Sequence, residues 1–246
     1  MDSVSSRGFI NAPEIYTREQ HPVSRRDIDP DALKIMRRLI QHGFKAYLVG
    51  GAVRDLLLHK QPKDSDIATD ATPNRVKHLF RNSRVIGRRF KLVHIFCGEG
   101  KIIQVSTFRD VNDPPKNESE ESDEDRSRSS ELPRKVADDN KFGTEETDAL
   151  RRDLTINGLF YDLSTLSIID YVQGMRDLRA RIVRVIGDPA TRFAEDPVRM
   201  LRVLRHSARA GFRVDEACLV AILEHHALIK DAPAMRLYEE MKKDLC

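Results

Sequence analysis

Cysteine is scarce: Cys97, Cys218 and Cys246 are the three present, and none stands in CxxC spacing. That excludes a disulfide frame and a zinc knuckle, and it fits a reducing compartment. No apolar run approaches the roughly 18 residues needed to cross a bilayer. The first twenty residues lack the basic-then-apolar order of a signal peptide. No internal repeat is present. The expectation is a cytoplasmic, soluble protein with no membrane partner.

The net charge of +3 hides an uneven distribution. Between 117 and 131 stand seven acids (Glu118, Glu120, Glu121, Asp123, Glu124, Asp125 and Glu131) against Arg126 and Arg128, a local charge of −5 that leaves +8 for the rest. The remainder is basic enough to suit a polyanionic partner. From 112 to 139 the chain is polar, acidic and serine-rich, with almost nothing to bury, so a disordered insert is expected there.

Local patterns divide the chain in three. Residues 1–28 show no sustained period and are expected to form a mobile arm. From 29 to 187 helices and short strands alternate, an α+β unit on a small mixed or antiparallel sheet. Asp29-Pro30 and Thr72-Pro73 each supply a cap and a first-turn proline for a helix, and Gly43 stands where the first of these ends. Strands are expected at 45–49, from Lys63 through the acids that follow it, and at 84–86, 92–96, 102–107, 166–170 and 181–185. The last two are expected to close the same sheet. A helix is expected across Ile156, Leu159 and Phe160. From 188 to 246 the pattern is helical, with starts at Asp196-Pro197, Asp215 and about Ala234, and a stop at Gly211.

The densest chemistry lies between Leu48 and Thr69. Gly50-Gly51 forms a turn leading into a short helix with Arg54 and Asp55, a place where backbone N–H groups suit phosphate. Asp64 and Asp66 flank Ser65. In a strand, residues two apart share a face with Cβ atoms roughly 6–7 Å apart, so two carboxylates can hold one divalent metal. A DxD pair alone is weak, since aspartates are common at strand ends and other transferases also bind metal–nucleotide through one. A calcium loop is excluded by the missing glycine and distal acid. Arg202, Arg205 and Arg209 form one helical arc with Arg199 at its border, while Leu201, Leu204 and Ala208 form another. The apolar arc is expected to pack and the basic one to meet an anion, although basic faces are often merely solvated.

Four stretches in order resemble one family. These are Gly50-Gly51-Ala52-Val53-Arg54-Asp55, Asp64-Ser65-Asp66, Arg151-Arg152-Asp153-Leu154-Thr155-Ile156-Asn157 and Glu195-Asp196-Pro197-Val198-Arg199. Together they resemble the class II nucleotidyltransferases of the polymerase-β superfamily, the bacterial poly(A) polymerases and tRNA CCA-adding enzymes. Residues 85–95 (VIGRRFKLVHI) and 140–143 (NKFG) are most similar to the poly(A) polymerase branch. In this reading 29–187 is the nucleotidyltransferase head, and 188–246 a truncated helical neck that selects the nucleotide.

The resemblance implies template-independent addition of AMP from ATP to RNA 3′ ends, with Mg²⁺ as cofactor and pyrophosphate as the second product. It assigns Asp64 and Asp66 to metal and Asp153 to the catalytic acids or to positioning. Gly50, Gly51, Arg54 and Arg152 go to the nucleotide, Asp196 and Arg199 to its base edge, and Arg202 and Arg205 alongside. Two positions depart from the family. Ser65 replaces an apolar residue, and Gln104 stands where an acid is usual on the neighbouring strand. A CCA-adding transferase and a catalytically impaired RNA- or nucleotide-binding remnant are the alternatives.

Overall fold

The computed structural model describes residues 12–87, 91–110 and 142–245. The acidic stretch, Arg88 to Phe90, and residues 1–11 lie outside them.

The chain begins with β1 (Glu14–Tyr16), then α1 (Pro30–Gln41), capped by Asp29, whose Oδ1 accepts from the N–H groups of Asp31 and Ala32 at 2.8 and 3.2 Å. Such a cap contributes about 1 kcal/mol. Next come β2 (Ala46–Val49), α2 (Gly51–Leu57), β3 (Asp66–Thr69) and α3 (Pro73–Leu79), followed by β4 (Ser83–Ile86), β5 (Leu92–Phe96) and β6 (Ile102–Thr107). Then follow α4 (Glu145–Leu150), β7 (Leu159–Asp162), β8 (Ser167–Asp170), α5 (Gly174–Ala180) and β9 (Ile182–Val183). The last part holds α6 (Pro189–Glu195), α7 (Val198–Ala210), β10 (Arg213–Val214), α8 (Glu216–His225) and α9 (Ala234–Leu245).

Eight strands form one sheet in the order β1-β8-β7-β2-β3-β6-β5-β4. Every neighbouring pair is antiparallel except β3 and β6. Side chains alternate across it. On one face Leu48, Ile67, Val93, Ile95, Ile103 and Val105 join Met36 and Leu39 of α1 in the main core. On the other, Tyr47, Val49, Ala68, Phe108, Ala149 and Phe160 make a smaller cluster. Asp66, one residue from Ile67 and two from Ala68, therefore belongs to the second face. The α+β architecture expected from the sequence is the one observed.

Several local expectations are corrected. Residues 12–28 are not a loose arm: Glu14–Tyr16 pairs with β8, and His21, Val23 and Ile28 are buried. The strand carrying Asp66 starts at that residue rather than at Lys63, so Asp64 and Ser65 lie on its approach. Ile156, Leu159 and Phe160 mimic a helical period, yet Thr155–Asn157 is a single 3₁₀ turn, and Leu159 and Phe160 belong to β7, where all four residues pair with β8. Residues 182–183 do not close the large sheet. They pair in parallel with β10, which interrupts the helical last part. Gln173 and Arg181 adopt left-handed backbone at either end of α5, a helix the sequence reading omitted. None of the helices among the described residues is long and apolar enough to cross a membrane.

Candidate active site

Gly50 follows β2 and caps α2 with φ +71°, a conformation that L side chains rarely adopt. A Cβ there would stand 3.6 Å from Arg152 Nη1 and 3.9 Å from Asp66 Oδ2. The turn thus draws the backbone against a cation from the RRD stretch and an anion from β3. Val49 pairs with Asp66 on one side and Phe160 on the other, so this convergence is fixed by strand register.

A cleft of about 560 Å³ opens beside the turn. Gly51, Arg54, Asp55, Asp64, Asp66, Arg205, His206 and Arg209 line it, with Lys60, Lys63 and Lys243 toward the rim. Of the residues expected at the site, Gly51, Arg54, Asp64, Asp66 and Arg205 meet here. Burial raises the pKa of Asp66 above the usual carboxylate value, with Arg152 opposing and Asp64 reinforcing the shift. A carboxylate held in that state gains from a cation.

Arg54 is held from three sides. Its Nε and Nη2 face Asp55 Oδ1 at 2.9 and 2.8 Å, Nη1 donates to Asn157 Oδ1 at 2.8 Å, and the same nitrogen lies 3.2 Å from His206 Nδ1. Arg152 donates to the buried Asp148 at 2.8 Å, and its guanidinium lies 5.0 Å from the centre of the Phe160 ring. The contacts of Asp153 run to α7 and to its own backbone neighbour. Asp153 Oδ2 lies 2.7 Å from Arg202 Nη2, and its Oδ1 accepts from the Leu154 N–H. Burial opposes its ionisation, but the Arg202 charge and the Leu154 N–H hold its pKa below the ordinary value. Among the described residues no group of three or more His, Cys, Asp or Glu side chains converges as a metal site.

Asp196 and Arg199 do not line this cleft and are already partnered. Arg236 of α9 grips Asp196 with both prongs, at 3.0 and 2.7 Å, while Arg199 donates to Glu195 at 2.9 Å and to the Arg192 carbonyl at 2.8 Å. Arg192 in turn donates to the carbonyls of Arg151 and Arg152 at 2.9 and 2.8 Å, tying α6 to the RRD stretch. Three enclosed nitrogens without a hydrogen-bond partner stand near this junction: Arg152 Nε, Arg192 Nε and Arg202 Nε.

The α7 faces differ from expectation. Leu204 is 43% exposed and Ala208 is also exposed, whereas Arg205 is buried and donates to Glu240 of α9 at 2.5 Å. The cause is α9, which packs on the basic arc and supplies the anion. Arg192, Asn157, His206, Glu240 and Arg236 were not singled out from sequence. Asn157 lies inside a recognised motif, while the others depend on contacts across 35 residues or more, or on neighbours whose placement no local pattern gives.

Gln104 is directly abreast of Asp66 in the β3–β6 register, with His94 next along on β5. The departure from an acid therefore falls beside Asp66. Ser65 is buried, yet its hydroxyl is not one of the enclosed polar atoms left without a partner, so the full desolvation cost does not arise.

The fold is similar to that of solved nucleotidyltransferases, among them a tRNA nucleotidyltransferase complexed with a primer tRNA and an incoming ATP analog, at a TM-score of 0.63 and 28% identity over 85% of this chain and 55% of that one. The architecture also matches the Bacillus stearothermophilus CCA-adding enzyme in complex with CTP, with a TM-score of 0.72 and 32% identity over 88% of this chain and 49% of that one. A family model described as "Poly A polymerase head domain" matches residues 46–184, and the chain belongs to that family. A second, "Probable RNA and SrmB- binding site of polymerase A", matches residues 211–246. The chain is 48% identical to Poly(A) polymerase I of Salmonella typhi over 229 residues, 93% of this chain and 48% of that protein. It is 38% identical to the CCA-adding enzyme of Bacillus pumilus, over 86% of this chain and 48% of that one. The chain spans about half the length of these relatives.

Proposed function

We propose that this chain carries the catalytic part of a cytoplasmic polynucleotide adenylyltransferase, which joins AMP from ATP to RNA 3′ ends and releases pyrophosphate. The observation that carries the reading is the meeting of Asp64 and Asp66 with Gly51 and Arg54 in one basic cleft. Similarity to Poly(A) polymerase I over most of the chain supports adenylate as the unit transferred. Free thiols at Cys97 and Cys218 support a reducing compartment.

The donor set fits Mg²⁺, which is bound through one or two carboxylates together with substrate phosphates rather than by an all-protein cage. Asp64 and Asp66 would hold it, and a cation there would offset the burial and the Asp64 charge that raise the Asp66 pKa. When bound, the metal activates the attacking hydroxyl and neutralises charge on the leaving pyrophosphate. The protein's own work is binding and orientation. The Gly50-Gly51 turn and Arg54 take the triphosphate, and Arg152 approaches from the opposite side of Gly50. Asp153 acts through Arg202 as a positioning residue. Asp196, held by the fork of Arg236, keeps carboxylate lone pairs free for a base edge beside Arg199. In this arrangement 29–187 is the head and 188–246 the neck.

CCA addition is the second reading, favoured by the solved structure bound to CTP. Labelled RNA incubated with Mg²⁺ and each nucleotide separately distinguishes the two: long tracts from ATP alone support adenylate transfer, and CTP followed by a single ATP supports CCA addition. Asp64→Ala and Asp66→Ala must abolish extension in either case. Extension unchanged in both variants would defeat the site assignment, and none by the parent would favour the binding remnant.

A further inference from the structure

His206 lies in the cleft, but none of the recognised motifs gives it a role. Its ring stands between two guanidiniums: Nδ1 is 3.2 Å from Arg54 Nη1, and Nε2 is 3.3 Å from Arg205 Nη2. Both neighbours are donors only. A protonated ring would turn two N–H groups toward two cations, so the geometry calls for a neutral one. A neutral imidazole has one acceptor, and it can serve only one of these arginines.

The neighbours' other contacts leave each of them one hydrogen for the ring. Arg205 Nε and Nη2 both reach Glu240 Oε1, at 2.5 Å each. Arg54 Nη1 has two hydrogens and, besides the histidine, one acceptor, Asn157 Oδ1. Arg205 Nη2 likewise keeps a second hydrogen beyond the one given to Glu240, so it is the shorter contact, at Arg54, that puts the lone pair on Nδ1 and the proton on Nε2. The surroundings keep the ring neutral. Burial, then Arg205 and Arg54, drive its pKa down to about 3 against the opposing pull of Asp153.

We infer that His206 is a positioning residue whose Nδ1 completes, with Asp55 and Asn157, the set of acceptors that aims Arg54 at the nucleotide's phosphates. The inference rests on the proposed nucleotidyl transfer and on Arg54 as a triphosphate ligand. It makes α7 a contributor to the phosphate end of the site as well as to base selection. With Nη1 turned toward Asn157 and His206, and Nε and one hydrogen of Nη2 toward Asp55, the second Nη2 hydrogen remains for a ligand beside Gly51, where a Cβ would approach Nη2 to 3.4 Å.

The test compares His206→Leu, which keeps bulk without an acceptor, with His206→Asn, whose side-chain oxygen can replace Nδ1. Losing a hydrogen bond to a charged group should raise both the KM for ATP and the Kd of a non-hydrolysable ATP analogue by about tenfold in His206→Leu. Its kcat and KM for RNA should stay near the parent's, and His206→Asn should recover most of the loss. An unchanged Kd in His206→Leu overturns the inference. So does a His206→Asn variant as impaired as His206→Leu, because that result assigns the effect to ring packing. Failure of the underlying functional reading has a separate signature: the parent binds the analogue but does not extend RNA.

Discussion

Replacing Glu240 by alanine strands Arg205 inside the protein. The two side chains are 7% and 5% exposed, and Arg205 Nε donates to Glu240 Oε1 at 2.5 Å. Burial sets the magnitude. An exposed pair would be worth at most about 1 kcal/mol, whereas removing one partner of a buried pair costs about 3–5 kcal/mol because an uncompensated charge remains. Lys243, 3.2 Å from the other carboxylate oxygen but itself 55% exposed, adds little. For a chain of this size each kcal/mol moves Tm by about 2–4 °C, so Glu240→Ala should melt about 6–20 °C lower at neutral pH. Adding Arg205→Met should return most of that loss by removing the stranded cation. The pH dependence has a definite sign. Burial pushes the Glu240 pKa up, but hydrogen bonding and charge from Arg205 more than offset it and hold it below its ordinary 4.5. Its stabilisation is therefore complete above pH 4.5 and is lost as pH falls through the lower folded-state value, so parent and variant should converge in acid. Thermal and urea unfolding followed by circular dichroism measure both effects. A Glu240→Ala protein within about 1 kcal/mol of the parent at neutral pH, or a double variant no more stable than the single, refutes the reasoning.

Two further changes probe the site. Gln104→Glu puts a third carboxylate abreast of Asp66, so the Mg²⁺ concentration for half-maximal extension should fall about tenfold. The metal-free protein should melt lower, because another negative charge joins an aspartate already held above its usual pKa; an unchanged Mg²⁺ titration counts against Gln104 as the missing ligand position. Arg236→Ala frees Asp196, and because Arg236 is 49% exposed the stability change should stay below about 1 kcal/mol. The ATP-over-CTP ratio of kcat/KM should nevertheless fall about tenfold, and a preserved ratio would remove Arg236 from nucleotide selection.

Features written in neighbouring residues were legible in the sequence. The caps at Asp29 and Thr72, the strands at 92–96 and 102–107, and the glycine turn at Gly50 all depend on local backbone preferences, and the structure has each of them. Ile156, Leu159 and Phe160 misled because an i, i+3, i+4 spacing also occurs where a 3₁₀ turn runs into a strand buried on both faces. The Glu14–Tyr16 strand was invisible because its partner lies in β8 and three residues carry little pattern. Within the site, the Gly50–Asp66 meeting could be anticipated from motif order. The pairing of Arg205 with Glu240 and of Asp196 with Arg236 could not, since charge partners 35 and 40 positions apart are chosen by helix packing.

The register of the sheet also sets a timetable. Val49, the last residue before the glycine turn, pairs with Phe160, and Glu14 pairs with Asp170. Roughly 110 residues separate the first pair, so at ordinary synthesis rates β2 waits about 5–20 s on the ribosome before its second neighbour exists. The strand carrying Asp66 has both its neighbours once β6 is made, but β2 and the Gly50 turn that follows it are not flanked on both sides until β7 emerges. A nascent chain that stalls before residue 160 would carry both aspartates and the glycine turn while β2 still presents an unpaired edge, open to a chaperone or to another nascent chain.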